Sequence, residues 1–140
     1  MTRTSRLYAF HHEYGKPELV ISLEKSEMGI LAPNQVHIQM LYAAINPADI
    51  NMCEGYYYTQ PKLPSPLGNE GVGKIIACGD DISSFSVGDH VIIPFKDKKH
   101  WVGAWATEVY VNEEDCIQVP SFIPLEQASM MTINPPTTKF

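Results

Sequence analysis

The 140-residue sequence has little cysteine, an excess of acidic over basic residues and no long apolar run. Its cysteines, Cys53, Cys78 and Cys116, are widely spaced and include no Cys-x-x-Cys pair, which excludes a disulfide framework and favours a reducing compartment. The net charge of −6 argues against a nucleic-acid partner, because phosphate binding needs clustered cations. No stretch approaches the roughly 20 apolar residues that span a bilayer, and we predict no membrane partner.

The composition is that of a folded domain built from short elements. Hydrophobic residues make up 44% of the chain and charged residues 19%, which is sufficient for an apolar core. Eleven prolines and nine glycines are scattered along the chain, and both residue types interrupt long helices. We therefore predict a mainly β fold with a few short helices, an antiparallel barrel or sandwich.

Local patterns predict the individual elements. Strands are expected at 7–10, 18–24, 35–45, 74–78, 90–93, 104–111 and 116–119. Alternation in the third strand turns Val36 and Ile38 towards the core and His37 towards solvent. A helix should begin after Asn46 and end at Gly55 in a left-handed cap, and a second should run over 124–131.

Few side chains carry an evident chemistry. No histidine or cysteine pair has the spacing of a metal site, so we predict no metal. A Gly-x-Gly at Gly71 and Gly73 opens a strand and lacks the third glycine of a dinucleotide-binding motif. The carboxyl groups of Asp49 and Glu70 are candidates for an acid/base pair, but hydrogen bonding to loop amides is the favoured interpretation.

A run of three tyrosines offers another candidate group. Tyr56, Tyr57 and Tyr58 cannot all lie on one face, so at least one phenol should reach solvent or a cleft. A tyrosine hydroxyl can donate a proton or a hydrogen bond to a developing enolate oxygen. The alternative is that the three rings pack their loop against the barrel.

Several segments, in one order, resemble a known domain. These are Ile45-Asn-Pro-Ala-Asp-Ile50, Gly55-Tyr-Tyr57, Gly68-Asn-Glu-Gly-Val-Gly73, Val87-Gly-Asp-His-Val91, Gly103-Ala-Trp105 and Ile133-Asn-Pro-Pro-Thr137. Together they resemble the N-terminal domain of medium-chain dehydrogenases/reductases. The resemblance implies a GroES-like, partly open β-barrel over 1–125, with 126–140 beginning a linker helix towards a nucleotide-binding domain.

Within that superfamily the sequence is similar to the zinc-free branch, which includes quinone reductases and 2-enoyl thioester reductases. Zinc-dependent alcohol dehydrogenases have Cys where this chain has Asn46, and His where it has Asn69. Amide side chains are poor zinc ligands beside thiolate and imidazole. The resemblance therefore implies NADPH as cofactor and no zinc.

The same resemblance implies roles for individual residues. Tyr57 matches the catalytic acid of the enoyl reductases, and Asn134 matches an asparagine that contacts the nicotinamide nucleotide. We also assign Asn46 to both cofactor and substrate binding, and Tyr56 and Trp105 to substrate binding.

The implied function is the substrate-side domain of an NADPH-dependent oxidoreductase that reduces a quinone or a conjugated enoyl thioester. Enoyl reductases tend to carry Arg where this chain has Ala106, so quinone reduction stays open. No nucleotide-binding domain lies within the 140 residues, and we expect the isolated chain to be inactive: a fragment, a truncated product or half of a two-chain enzyme.

The alternative function is a stand-alone GroES-like binding module or an inactive remnant. The partner of an enzyme would be a small-molecule substrate, and the full-length enzyme could form a homodimer. We expect a cytoplasmic location, with the mitochondrion as the minor alternative.

Overall fold

A computed structural model describes residues 4–58, 60–94 and 102–137. The elements in chain order are β1 (Ser5–His11), α1 (Pro17–Val20), β2 (Ile21–Glu27), β3 (Gln35–Ala43), α2 (Pro47–Glu54), β4 (Ser65–Pro66), β5 (Gly71–Cys78), β6 (His90–Ile93), β7 (Glu108–Asn112), a 3₁₀ turn (Glu113–Asp115), β8 (Ile117–Gln118), α3 (Leu125–Ala128) and α4 (Asn134–Thr137). The predicted mainly β architecture with short helices is confirmed. None of the described helices has the length and apolar character needed to cross a bilayer.

The strands form two antiparallel sheets that join into a partly open barrel. One sheet has the order β2-β1-β4 and the other β7-β3-β5-β6-β8. The two sheets meet where β1 runs beside the segment leading into β7, through a bridge between Tyr8 and Ala106 and a hydrogen bond from the Ala9 N–H to the Trp105 carbonyl. This junction brings Trp105 next to the first sheet.

The apolar core lies between the larger sheet and the segments that cover it. We use "apolar core" for the buried aliphatic cluster of Val36, Ile38, Ile75, Val91, Ile93, Val109 and Val111. These side chains come from β3, β5, β6 and β7. The predicted inward orientation of Val36 and Ile38 is confirmed, since both are fully buried.

His37 corrects the simple alternation predicted for this strand. Its side chain is buried, and its Nε2 lies 3.0 Å from Glu108 Oε2 on the neighbouring strand. The pairing of β3 with β5 shifts register between His37 and Ile38. Such a bulge breaks the period of two, so consecutive residues become buried.

The largest departures from the predicted bounds occur in three elements. Residues 17–20 form a helical turn with Pro17 at its start, where a strand was predicted. The predicted strand 104–111 is replaced by the shorter β7, which covers 108–112. The helix predicted over 124–131 is limited to α3, and the chain bends before α4 begins at Asn134.

Candidate active site

Two polar side chains, those of Asn46 and Asp49, lie at the start of α2, shortly after the end of β3. Asn46 has extended backbone angles and is the N-cap, and Pro47 occupies the first helical position. The N–H of Asn46 donates to Asp49 Oδ2 at 2.7 Å, which is one half of a capping box. The helix ends at Gly55 with a φ of 86°, a conformation that favours glycine. The predicted helix and both of its ends are confirmed.

Asp49 also connects α2 to the segment that precedes β5. Its Oδ1 accepts the N–H of Asn69 at 2.9 Å. The carboxyl group is buried, and burial raises its pKa to about 6 from 3.8, although the two backbone hydrogen bonds oppose this and the nearby charge of Glu70 adds to it. Asp49 therefore joins Asn46 and Asn69, the two positions that the resemblance compares with zinc ligands.

Glu70 is fully buried and accepts hydrogen bonds from four donors. Its Oε1 accepts Asn46 Nδ2 at 3.0 Å. Its Oε2 accepts the Thr132 N–H at 2.9 Å, the Thr132 hydroxyl at 2.6 Å and the Ile133 N–H at 3.1 Å. The prediction that Asp49 and Glu70 hydrogen-bond loop amides is confirmed for both residues.

The same network brings together the two residues predicted to bind the cofactor. Asn134 Nδ2 donates to Asn46 Oδ1 at 2.9 Å, across 88 positions of sequence. We use "polar cluster" for the hydrogen-bonded set of Asn46, Asp49, Asn69, Glu70, Thr132 and Asn134. Thr132 was not identified from the sequence, because nothing local connects a threonine to a glutamate 62 positions away.

Asn69 holds a buried acceptor within this cluster. The residue is 4% exposed, and its Oδ1 has no hydrogen-bond partner among the described residues. A buried oxygen left in that state costs free energy, since it has lost water without gaining a donor. The atom is suited to accept an N–H or O–H from a bound molecule.

The tyrosine run divides as predicted. Tyr56 and Tyr58 are 82% and 86% exposed, so these two rings do not pack their loop against the barrel. Tyr57 is partly buried, with its ring centroid 4.7 Å from that of Tyr58. Its pKa is raised, first by burial, then by hydrogen bonding with Tyr58 and by the nearby charges of Tyr58 and Asp49. A phenol is protonated at neutral pH and the raised pKa does not change this, so the Tyr57 hydroxyl can donate a hydrogen bond.

Trp105 forms part of an open groove beside the polar cluster. Its indole N–H donates to the Ala44 carbonyl at 3.0 Å. The groove has a volume of about 290 Å³ and is lined by Trp105, Ile45 and other largely apolar residues from β3. Gly68 has a φ of 100°, and a Cβ there would lie 2.5 Å from the Trp105 backbone nitrogen, so only glycine permits this approach.

The described residues contain no group of three or more His, Cys, Asp and Glu side chains that could hold a metal ion. Asn46 and Asn69, the positions at which zinc enzymes have their ligands, belong to the hydrogen-bonded cluster. The predicted absence of zinc stays a prediction.

Comparison with known proteins assigns the fold to a family. A family model described as the alcohol dehydrogenase GroES-like domain matches residues 32–121. The chain belongs to this family. Its relatives include the mitochondrial enoyl-[acyl-carrier-protein] reductase of Bos taurus, which is 40% identical over 136 residues. That match covers 97% of this GroES-like chain and 35% of the bovine protein, so the chain spans about a third of the curated relatives it matches.

Solved structures of oxidoreductases have the same fold as this GroES-like domain. The complex of Etr1p with NADP and crotonyl-CoA matches with a TM-score of 0.85 and 26% identity, over 97% of this chain and 42% of that one. A putative NADPH:quinone reductase from Bacillus thuringiensis matches with a TM-score of 0.85 and 28% identity, over 97% and 40% of the two chains. The resemblance to medium-chain dehydrogenases/reductases is thereby confirmed, with both enoyl reductases and quinone reductases among the relatives.

Proposed function

We propose that this GroES-like domain is the substrate-side part of a zinc-independent, NADPH-dependent reductase of enoyl thioesters. The observation that carries the proposal is the direct hydrogen bond between Asn46 and Asn134. It joins the only two residues assigned to the cofactor, and a half-buried tyrosine lies within electrostatic reach of the same cluster. The similarity to enoyl-[acyl-carrier-protein] reductases supports the choice of substrate class.

The residues of the polar cluster fit a nicotinamide cofactor. Asn46 and Asn134 would hold its nicotinamide end, and the buried Asn69 Oδ1 would accept a donor such as a carboxamide N–H. When bound, NADPH supplies the hydride that reduces the β-carbon of the conjugated compound. The nucleotide domain that holds most of such a cofactor would lie outside these 140 residues, in a longer chain or a second subunit.

Tyr57 would be the catalytic acid. A phenol is protonated at neutral pH, so the Tyr57 hydroxyl can donate a hydrogen bond to the substrate carbonyl or a proton to the α-carbon. Trp105 would contact the acyl part of the substrate in the groove that it lines. Tyr56 would contact the substrate through its exposed ring, and Asn46 would contact the polar end. Orientation of the two reactants accounts for most of the expected acceleration.

The test uses the longest natural chain that contains this domain, with any nucleotide-binding subunit it requires. NADPH oxidation is followed with crotonyl-CoA and, separately, with a benzoquinone. We expect crotonyl-CoA to be the better substrate, and Tyr57→Phe to lower kcat/KM by about a hundredfold. Tyr110→Phe is the matched control, because it removes a hydroxyl that donates to the remote Gly29 carbonyl.

Either of two results would contradict this assignment. Equal rates for Tyr57→Phe and the wild type would remove Tyr57 from the mechanism. Faster turnover of the quinone would favour the second candidate function, which rests on Ala106 and on the similarity to the quinone reductase of Bacillus thuringiensis.

The remaining expectations are part of the proposal. If no nucleotide domain is encoded beyond Phe140 and none is captured as a subunit, the binding module or inactive remnant becomes the better description. The curated relatives are named as mitochondrial, which favours the mitochondrial alternative over a cytoplasmic location. The division at residue 125 and the homodimer are testable by limited proteolysis and by light scattering.

A further inference from the structure

Glu70 is a buried carboxylate that the proposed chemistry does not use. All four of its donors are uncharged: the Asn46 amide, the Thr132 hydroxyl and the N–H groups of Thr132 and Ile133. Burying a carboxylate costs free energy when no cation lies beside it, and none of the described partners of Glu70 is a cation. A buried glutamate at this position therefore indicates a role other than packing.

The charge of Glu70 imposes a direction on the amides beside it. An ionised carboxylate can only accept hydrogen bonds, so Asn46 must turn its Nδ2 towards Glu70. The Oδ1 of Asn46 then faces Asn134, which must in turn present its own Nδ2. Glu70, Asn46 and Asn134 form a series of hydrogen-bonded side chains, and Glu70 is its buried end. The orientation of both amides therefore follows from Glu70.

We propose that Glu70 is a positioning residue that sets the orientation of the Asn46 and Asn134 amides and fastens the 132–134 segment to the barrel. It acts through these residues and does not contact the reacting atoms. The consequence for NADPH binding rests on the proposed function, whereas the orientation of the amides does not.

A second carboxylate provides a matched comparison. Glu113 Oε1 accepts the N–H groups of Ser83 and Ser84 at 3.0 and 2.6 Å, so it also fastens a loop to the barrel. This contact is on the surface and outside the polar cluster. Replacing Glu113 therefore tests the loss of a similar fastening without a change in the amides of Asn46 and Asn134.

The first experiment measures hydrogen exchange and side-chain amide resonances of the chain by NMR. In Glu70→Gln we expect exchange of the Thr132 and Ile133 N–H groups to accelerate about tenfold or more, and the Asn46 and Asn134 amide resonances to shift. In Glu113→Gln only the Ser83 and Ser84 groups should exchange faster. Unchanged exchange and resonances in Glu70→Gln would overturn the proposal.

A double variant tests direction separately from bond number. Combining Glu70→Gln with Asn46→Asp moves the carboxylate from position 70 to position 46, the next side chain in the hydrogen-bonded series. The new amide at position 70 can still accept from the 132–133 backbone and can donate to the carboxylate at position 46. That carboxylate can still accept from Asn134, so the Asn134 amide resonance should return towards its wild-type position, while the 132 and 133 N–H groups should exchange as in Glu70→Gln. An Asn134 resonance that stays where Glu70→Gln alone puts it would show that direction is unimportant.

A milder variant keeps the proposal testable if Glu70→Gln unfolds. Thr132→Val removes one donor to Glu70 and preserves the shape of the side chain. We expect the Ile133 N–H to exchange about threefold faster while core amides such as that of Val91 are unaffected. An Ile133 exchange rate equal to that of the wild type would contradict a fastening role.

The cofactor consequence is measured as the Kd for NADPH in the protein that carries the nucleotide domain. Glu70→Gln should raise the Kd about tenfold, Glu113→Gln should leave it unchanged, and the double variant should recover most of the loss. Equal Kd values for Glu70→Gln and the wild type would overturn the cofactor part. If the wild type binds no NADPH but the NMR results hold, the proposed function fails while the positioning role stands.

Discussion

The apolar core and the centre of the polar cluster are both buried, yet they are stabilised in opposite ways. Within the cluster Asn46, Asp49, Asn69 and Glu70 are buried, whereas Thr132 is half-buried and Asn134 is exposed. The core consists of aliphatic side chains from four strands of one sheet. The polar cluster consists of asparagines, carboxylates and a threonine, drawn from the N-terminal end of α2, the segment before β5 and the 132–134 segment. Core contacts are not directional, whereas each contact in the cluster requires a particular partner.

This difference shows where the fold is determined and where function is most expected. Aliphatic burial stabilises the barrel whichever of several side chains supplies it. A buried carboxylate contributes little net stability even when it is fully hydrogen-bonded. A domain of this size that retains two such groups side by side is therefore arranged for a purpose other than stability.

The largest expected effect comes from opening the apolar core. Ile38 is fully buried in the apolar core, and Ile38→Ala should lower the free energy of unfolding by about 3 kcal/mol through lost burial and the cavity that remains. Urea denaturation would show this as a lower midpoint. Ile30→Ala is the control, since Ile30 is 94% exposed and its truncation should change stability by less than about 0.5 kcal/mol.

The core and the helix before the cluster are the parts that sequence patterns predicted well. Alternating apolar residues identified the inward face of β3, and Asn46, Pro47 and Gly55 identified both ends of α2. The burial of His37 was missed, because a bulge depends on how the neighbouring strand pairs. The helical turn at 17–20 was missed because β-forming residues follow Pro17 closely.

The polar cluster was only half predictable. Motif resemblance identified Asn46 and Asn134, and the carboxylates were correctly expected to hydrogen-bond amides. Glu70 reaches the Thr132 amide because the fold brings together two residues that are 62 positions apart in the sequence. No local pattern predicts such a contact. Tyr57, Tyr56 and Trp105 stay predictions as site residues, although the groove beside Trp105 is compatible with that role.

The second-largest expected effect is a pH dependence of stability that comes from Asp49 in the polar cluster. Burial raises the pKa of Asp49 to about 6 in the folded state, so the folded chain binds this proton more tightly than the unfolded chain does. The stability contributed by the protonated group is complete below pH 3.8 and is lost as the pH rises through about 6. At about 1.36 kcal/mol per pKa unit, this loss amounts to at most about 3 kcal/mol.

Asp49→Asn removes this titration and provides the reference. We expect the free energy of unfolding of the wild type, relative to Asp49→Asn, to fall between about pH 4 and about pH 7. Urea denaturation at several pH values measures both chains. Parallel curves over that range would mean that the two backbone N–H groups offset the burial of the carboxylate.

The smallest expected effect concerns His11, a buried polar residue outside both regions. It is fully buried, and neither ring nitrogen has a hydrogen-bond partner among the described residues. Burying these ring nitrogens costs free energy, so His11→Leu should raise the free energy of unfolding at neutral pH slightly, by no more than about 1 kcal/mol.

The stabilities of the wild type and His11→Leu should nevertheless differ in acid. Burial lowers the pKa of His11, with the neighbouring charge of His12 acting in the same direction and the Glu13 backbone opposing both, so the unfolded chain binds this proton more tightly. The wild type should then lose stability relative to His11→Leu as the pH falls below about 6.5, opposite in sign to the effect of Asp49. A large loss of stability in His11→Leu at neutral pH would instead place His11 with the polar cluster, as a residue whose ring atoms the fold requires.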